Sequence, residues 1–164
     1  MAKARPIPDL AADDAYAVAA ARIVAVRSQE LADHSHDVLA IDDIERVHDM
    51  RVATRRLRAA LEVFKPCFPK KRHKAVLSEV KELADALGER RDRDVAIAGL
   101  ESFAAELAAP DRRGITSLVE LLRAEQREAN EALAPCVSEA RVAGLLERLR
   151  ALVAEANDLA AATS

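Results

Sequence analysis

Residues 42–64 read DDIERVHDMRVATRRLRAALEVF, and this stretch decides the fold. Met50, Ala53, Leu57, Leu61 and Phe64 recur at three- and four-residue intervals, the spacing of one face of an α-helix. With His48 set to zero and about 100° per residue, they fall between about 140° and 220°. Arg51, Arg55 and Arg58 fall near 300°, 340° and 280°, almost opposite, while Arg56, near about 80°, sits on the other flank. One helix therefore carries a core face and a cationic face. Asp42, with Glu45 three residues on, resembles a capping box in which Asp replaces Ser or Thr. The helix is predicted from about Asp43 to Lys65, stopping before Pro66.

The same periodicity extends in both directions. Pro6 and Pro8 mark residues 1–8 as an extended arm. A long first helix is predicted from Asp9 to about Ala40, with Asp9, Asp13 and Asp14 at the positive end of its dipole. Pro66 to Pro69 is a turn. A third helix is predicted from about Lys71 to Leu87, with Gly88 as a left-handed C-terminal residue. A fourth starts near Arg91 or Asp92, Asp92 serving as its cap, and ends before Pro110. Asp111 caps a fifth to about Ala134, broken by Pro135, and a sixth runs from about Ser138 to Leu159 before a frayed Ala-Ala-Thr-Ser tail. No useful stretch alternates with period two. The expectation is an all-α protein, an antiparallel bundle of about six helices in one domain over residues 9–160.

Composition agrees. Hydrophobic residues are 51% of 164, aromatic residues only 2%, and there are four Gly and two Cys. That is enough apolar material for a core built on Ala, Leu and Val, and it excludes disordered, collagen-like and disulfide-scaffold classes. Cys67 and Cys136 form no CxxC motif and read as reduced and mostly buried. No signal peptide or membrane span is visible, so the expected location is the cytoplasm.

The net charge of −3 argues against a nucleic-acid binder, but it hides a segregation. Residues 46–93 hold 14 basic and 7 acidic residues, a net of +7, so the remainder carries −10. From Arg51 to Lys74 there are nine basic residues and one acid, Glu62. Such an island sets a local field whatever the overall charge. On the helix, Arg51 and Arg55 lack acidic neighbours four residues away, and only Glu62 relieves Arg58. Guanidinium groups form fork-shaped, charge-assisted hydrogen bonds with phosphate oxygens. A row of them suits an extended polyanion better than a single phosphate. The competing reading is a solvated face, or one paired with the chain's own acidic helices. Lys74 and Lys81, seven residues apart, share a face of the third helix, and Arg90 and Arg91 lie at the predicted turn.

Other chemistries are poorly supplied. There is no Gly-rich phosphate loop, no His-Glu-x-x-His and no nucleophile motif, so no catalytic residue, cofactor or metal is expected. Asp92 and Asp94 diverge on a helix. In the run Asp33-His34-Ser35-His36-Asp37, two histidines on a helix point about 200° apart, so the run reads as a solvated helix end. RNA is the natural competitor ligand, but Phe64 and Phe68 read as core and hinge and Tyr16 is isolated, so no aromatic stacking platform is expected. A plain helical protein-interaction module is the remaining alternative.

Two motifs together resemble the CHAD family, the conserved-histidine α-helical domain. The first is His48-x-x-Arg51-x-x-x-Arg55-Arg56-Leu57-Arg58-x-x-Leu61-x-x-Phe64, and the second is Lys81-x-Leu83-x-x-x-Leu87-Gly88-x-x-Arg91-Asp92-x-Asp94-Val95. The resemblance implies a helical bundle that binds inorganic polyphosphate on a basic surface, in a family often associated with polyphosphate granules. By motif position His48, Arg51, Arg55, Arg58, Lys81 and Arg91 inherit the ligand-binding expectation. Arg56, Lys74 and Arg90 join them by charge and position. The family typically has two pseudo-repeated bundles whose basic faces meet. Only one His-x-x-Arg motif occurs here, so the expectation is that two chains pair as a homodimer to complete a shared channel.

Overall fold

The computed structural model describes residues 3–163. Among them are five α-helices: α1 (Tyr16–Asp33), α2 (Ile44–Val63), α3 (Lys70–Glu106), α4 (Arg112–Leu133) and α5 (Glu139–Thr163). One-turn 3₁₀ segments, Lys65–Cys67 and Ala109–Asp111, precede α3 and α4. The all-α expectation holds, with five helices in place of six and a first helix of ordinary length.

α1 is shorter than predicted because local polar contacts compete with the helix at both ends. Asp14 accepts from the Ala11 amide at 3.0 Å and from Arg22 at 2.7 Å, while Arg22 also donates to the Asp9 carbonyl. Asp9 itself has φ 54°. At the other end, the Ser35 hydroxyl donates to the Ala32 carbonyl at 2.7 Å and Asp37 has φ 54°, so residues 34–40 turn outside any helix. Asp and Ser favour such local bonds over helix continuation. Within the Asp33–Asp37 run, Asp33 ends α1 and residues 34–37 are unwound rather than helical.

α2 is capped by Asp43, one residue later than predicted, its carboxylate accepting from the Glu45 amide at 3.3 Å. The largest difference is at Gly88. The predicted turn is absent, α3 runs unbroken for 37 residues, and no glycine has positive φ. A lone glycine inside a helix costs only about 1 kcal/mol. The buried face continues straight through it: Val76, Val80, Leu83, Leu87, Arg90, Asp94 and Ile97 keep the three- and four-residue spacing. Asp92 is therefore mid-helix and caps nothing. The predicted C-terminal fraying also differs, since α5 extends to Thr163; Ser164 lies outside the described residues.

α1, α2, the first half of α3 and α5 enclose the main core, which includes Val24, Leu31, Met50, Leu57, Leu61, Val80, Leu87, Leu149 and Leu152. Burying each such side chain contributes about 1.5–3 kcal/mol. The second half of α3 extends beyond this core, and α4 folds back along it. That junction is polar. Arg90 and Asp94, both buried, pair at 3.2 Å, and Gln126 of α4 donates to the other Asp94 oxygen at 2.6 Å. Burial pushes the Arg90 guanidinium down and the Asp94 carboxyl up, against the attraction between them.

Candidate functional site: an arginine-lined cleft between α2 and α3

The α2–α3 hairpin is tied at both ends. His73, buried on α3 and stacked on Phe68, donates from Nε2 to the Leu61 carbonyl at 2.7 Å. At the far end Arg91 donates to the Ile44 carbonyl at 3.1 Å and lies 3.7 Å from Glu45. Between these ties the two helices enclose a solvent-open cleft of about 500 Å³. Arg51, Arg55 and Arg58 line it from α2. They share that wall because their positions, four and three residues apart, oppose the core stripe of the same helix. Ala84 and Gly88 form its low floor on α3, and Asp85, Glu89 and Asp92 face the arginines.

The cleft is therefore of mixed charge. Among the described residues Arg51 and Arg55 make no ion pair. Glu89 is engaged by Arg93 at 2.5 Å. Arg58 is partnered: its Nε lies 3.1 Å from Glu62 Oε1, and Lys81 Nζ of α3 lies 3.3 Å from the same oxygen. The Arg58 hydrogen bond, then that of Lys81, holds the Glu62 carboxyl below the usual carboxylate range.

The structure sorts the nine predicted residues. Arg51, Arg55 and Arg58 come together in the cleft, and Lys81 joins them through Glu62. Lys74 is exposed two turns earlier on α3. His48 is half-buried, its ring within 4.8 Å of ligand oxygens of Glu45 and Asp49. That trio has the donor types of a metal site, but Glu45 also faces Arg91 and the helix N-terminus adds positive charge. Arg91 is committed to the α2 N-terminus. Arg56 turns to the α1 side, 3.9 Å from buried Glu30, away from the cleft.

Arg90 is a correction. It is fully buried against Asp94 and presents nothing to a ligand. Its place on the core stripe became visible only once α3 was continuous. The same break concealed the acidic wall: across an unbroken helix, Asp85, Glu89 and Asp92 fall within about 60° of one another.

A helical bundle with a cleft on one helical hairpin, arginines on one wall and carboxylates on the other, is the class that fold and site define together. The CHAD domain model matches residues 22–164, and the chain belongs to that family, which is associated with polyphosphate binding. A search of curated proteins finds no match. No helix among the described residues is long and apolar enough to cross a membrane.

Proposed function

We propose that the α2–α3 cleft binds inorganic polyphosphate without catalysing its breakdown. The observation that carries this reading is the row Arg51–Arg55–Arg58 on one wall of an open cleft, with Arg51 and Arg55 in no ion pair among the described residues. Family membership supports it. Arg51 and Arg55 take the first phosphates, and Arg58, Lys81 and Lys74 extend the contact along the hairpin. Capture releases counterions condensed on the chain. By analogy with single-stranded nucleic acid, log K falls with log salt by about 0.7 per phosphate, so about 3.5 for five contacts.

The direct test is Arg51→Glu with Arg55→Glu. Polyphosphate affinity falls by at least an order of magnitude while far-UV circular dichroism is unchanged; unaltered affinity moves the site elsewhere. Competition with RNA separates the two polymers, and phosphate release with added divalent metal tests for an enzyme. The acidic wall favours a second reading, a docking face for a charged helix of a partner protein. Weak, salt-insensitive polyphosphate binding would select it.

The pairing of two chains belongs to the same proposal. Exposed Phe103 of α3 and Leu118 and Leu121 of α4 offer apolar area for it. Light scattering that shows a strict monomer with polyphosphate binding intact removes the dimer. Residence in the cytoplasm on polyphosphate granules is the cellular form of this reading.

A further inference from the structure

Glu62 occupies the next position on the arginine stripe. Arg51, Arg55, Arg58 and Glu62 follow at four-, three- and four-residue steps, so the carboxylate sits about 16 Å along the row from Arg51. Arg58 from α2 and Lys81 from α3 converge on one oxygen of that carboxylate, at 3.1 and 3.3 Å. Two cations from different helices directed at a single anionic oxygen define a place for an anionic oxygen. All three side chains are substantially exposed, Arg58 at 38%, Lys81 at 42% and Glu62 at 43%. The clamp is therefore a surface arrangement that a competing anion can open.

We propose that Glu62 is a built-in competitor of the ligand: its carboxylate stands where an anionic phosphate oxygen docks, and a bound polyphosphate displaces it. The inference rests on the polyphosphate reading of the cleft and adds a residue that sets its affinity. Arg51 and Arg55, in no ion pair among the described residues, receive the chain first. The chain's continuation then exchanges one anion for another at Arg58 and Lys81, so these two cations keep an anionic partner throughout. The low carboxyl pKa of Glu62 keeps the competitor charged throughout the neutral range. Affinity is lowered by the worth of two exposed ion pairs, and the two cations remain positioned in the free protein.

The test is a mutant cycle read by polyphosphate titration. Glu62→Gln keeps the side-chain shape and removes the charge. It tightens binding about fivefold, the worth of two exposed pairs. Glu147→Gln, an equal charge change at an exposed position on α5, tightens it less than about twofold. In a background carrying Arg58→Gln and Lys81→Gln, the gain from Glu62→Gln falls to the level of that control. A Glu62→Gln gain no larger than the control, or one that survives loss of both cations, overturns the inference and leaves the polyphosphate site standing. If the unmutated protein does not bind polyphosphate at all, the functional reading fails first and this inference falls with it.

Discussion

Gly88→Ala separates two structures of the α3 region by the sign of its effect. In the unbroken helix, Gly88 has helical geometry, and a Cβ built there meets no atom within 4 Å. Alanine then gains helix propensity and removes freedom from the unfolded chain without a clash. The gain is about 0.5–1 kcal/mol. For a chain of this size each kcal/mol moves Tm by about 2–4 °C, so the melting temperature rises by roughly 1–4 °C. Had Gly88 ended a helix in left-handed geometry, alanine would cost about 1–2 kcal/mol and Tm would fall. Thermal melts by circular dichroism and urea midpoints at unchanged m-value measure the difference. A lower midpoint for the variant would refute the continuous helix, and with it the acidic wall of the cleft.

Other outcomes follow from the same geometry. Arg90→Ala leaves the Asp94 carboxylate buried without its cation and destabilises by about 3 kcal/mol at neutral pH, less in acid where Asp94 takes up a proton; urea unfolding at two pH values reads both. The Asp94 carboxyl is raised in the fold, so its contribution to stability is largest below the ordinary carboxylate range and is lost as pH rises through its folded pKa. Asp94→Asn removes that decline, and the difference between wild-type and variant stability across pH isolates it. Leu57→Ala, at a fully buried core position, costs about 2–5 kcal/mol in urea unfolding.

The core was legible in the sequence because its period is long and regular. Met50, Ala53, Leu57 and Leu61 are all buried, as their spacing requires. What remained hidden depended on contacts distant in sequence or on local competition. Gly88 followed by Glu-Arg-Arg-Asp resembles a helix stop, yet the buried stripe on either side of it is in phase and tertiary packing prevails. Arg90 reads as a surface cation until Asp94 and Gln126, the latter 32 residues beyond Asp94, are seen beside it. Within the site, the stripe on α2 follows from one helix alone. The opposing carboxylates require knowing how α3 lies against α2, and the bridging role of Glu62 requires Lys81 from the neighbouring helix.

The hydrogen bonds from His73 and Arg91 reach carbonyls near opposite ends of α2, Leu61 and Ile44. Two fasteners well apart along α3, both reaching α2, fix both the distance and the angle between the helices, as one fastener would not. The gauge of the slot is thus set by backbone oxygens and by side chains outside it. Substitutions along its walls can change charge while its width stays constant.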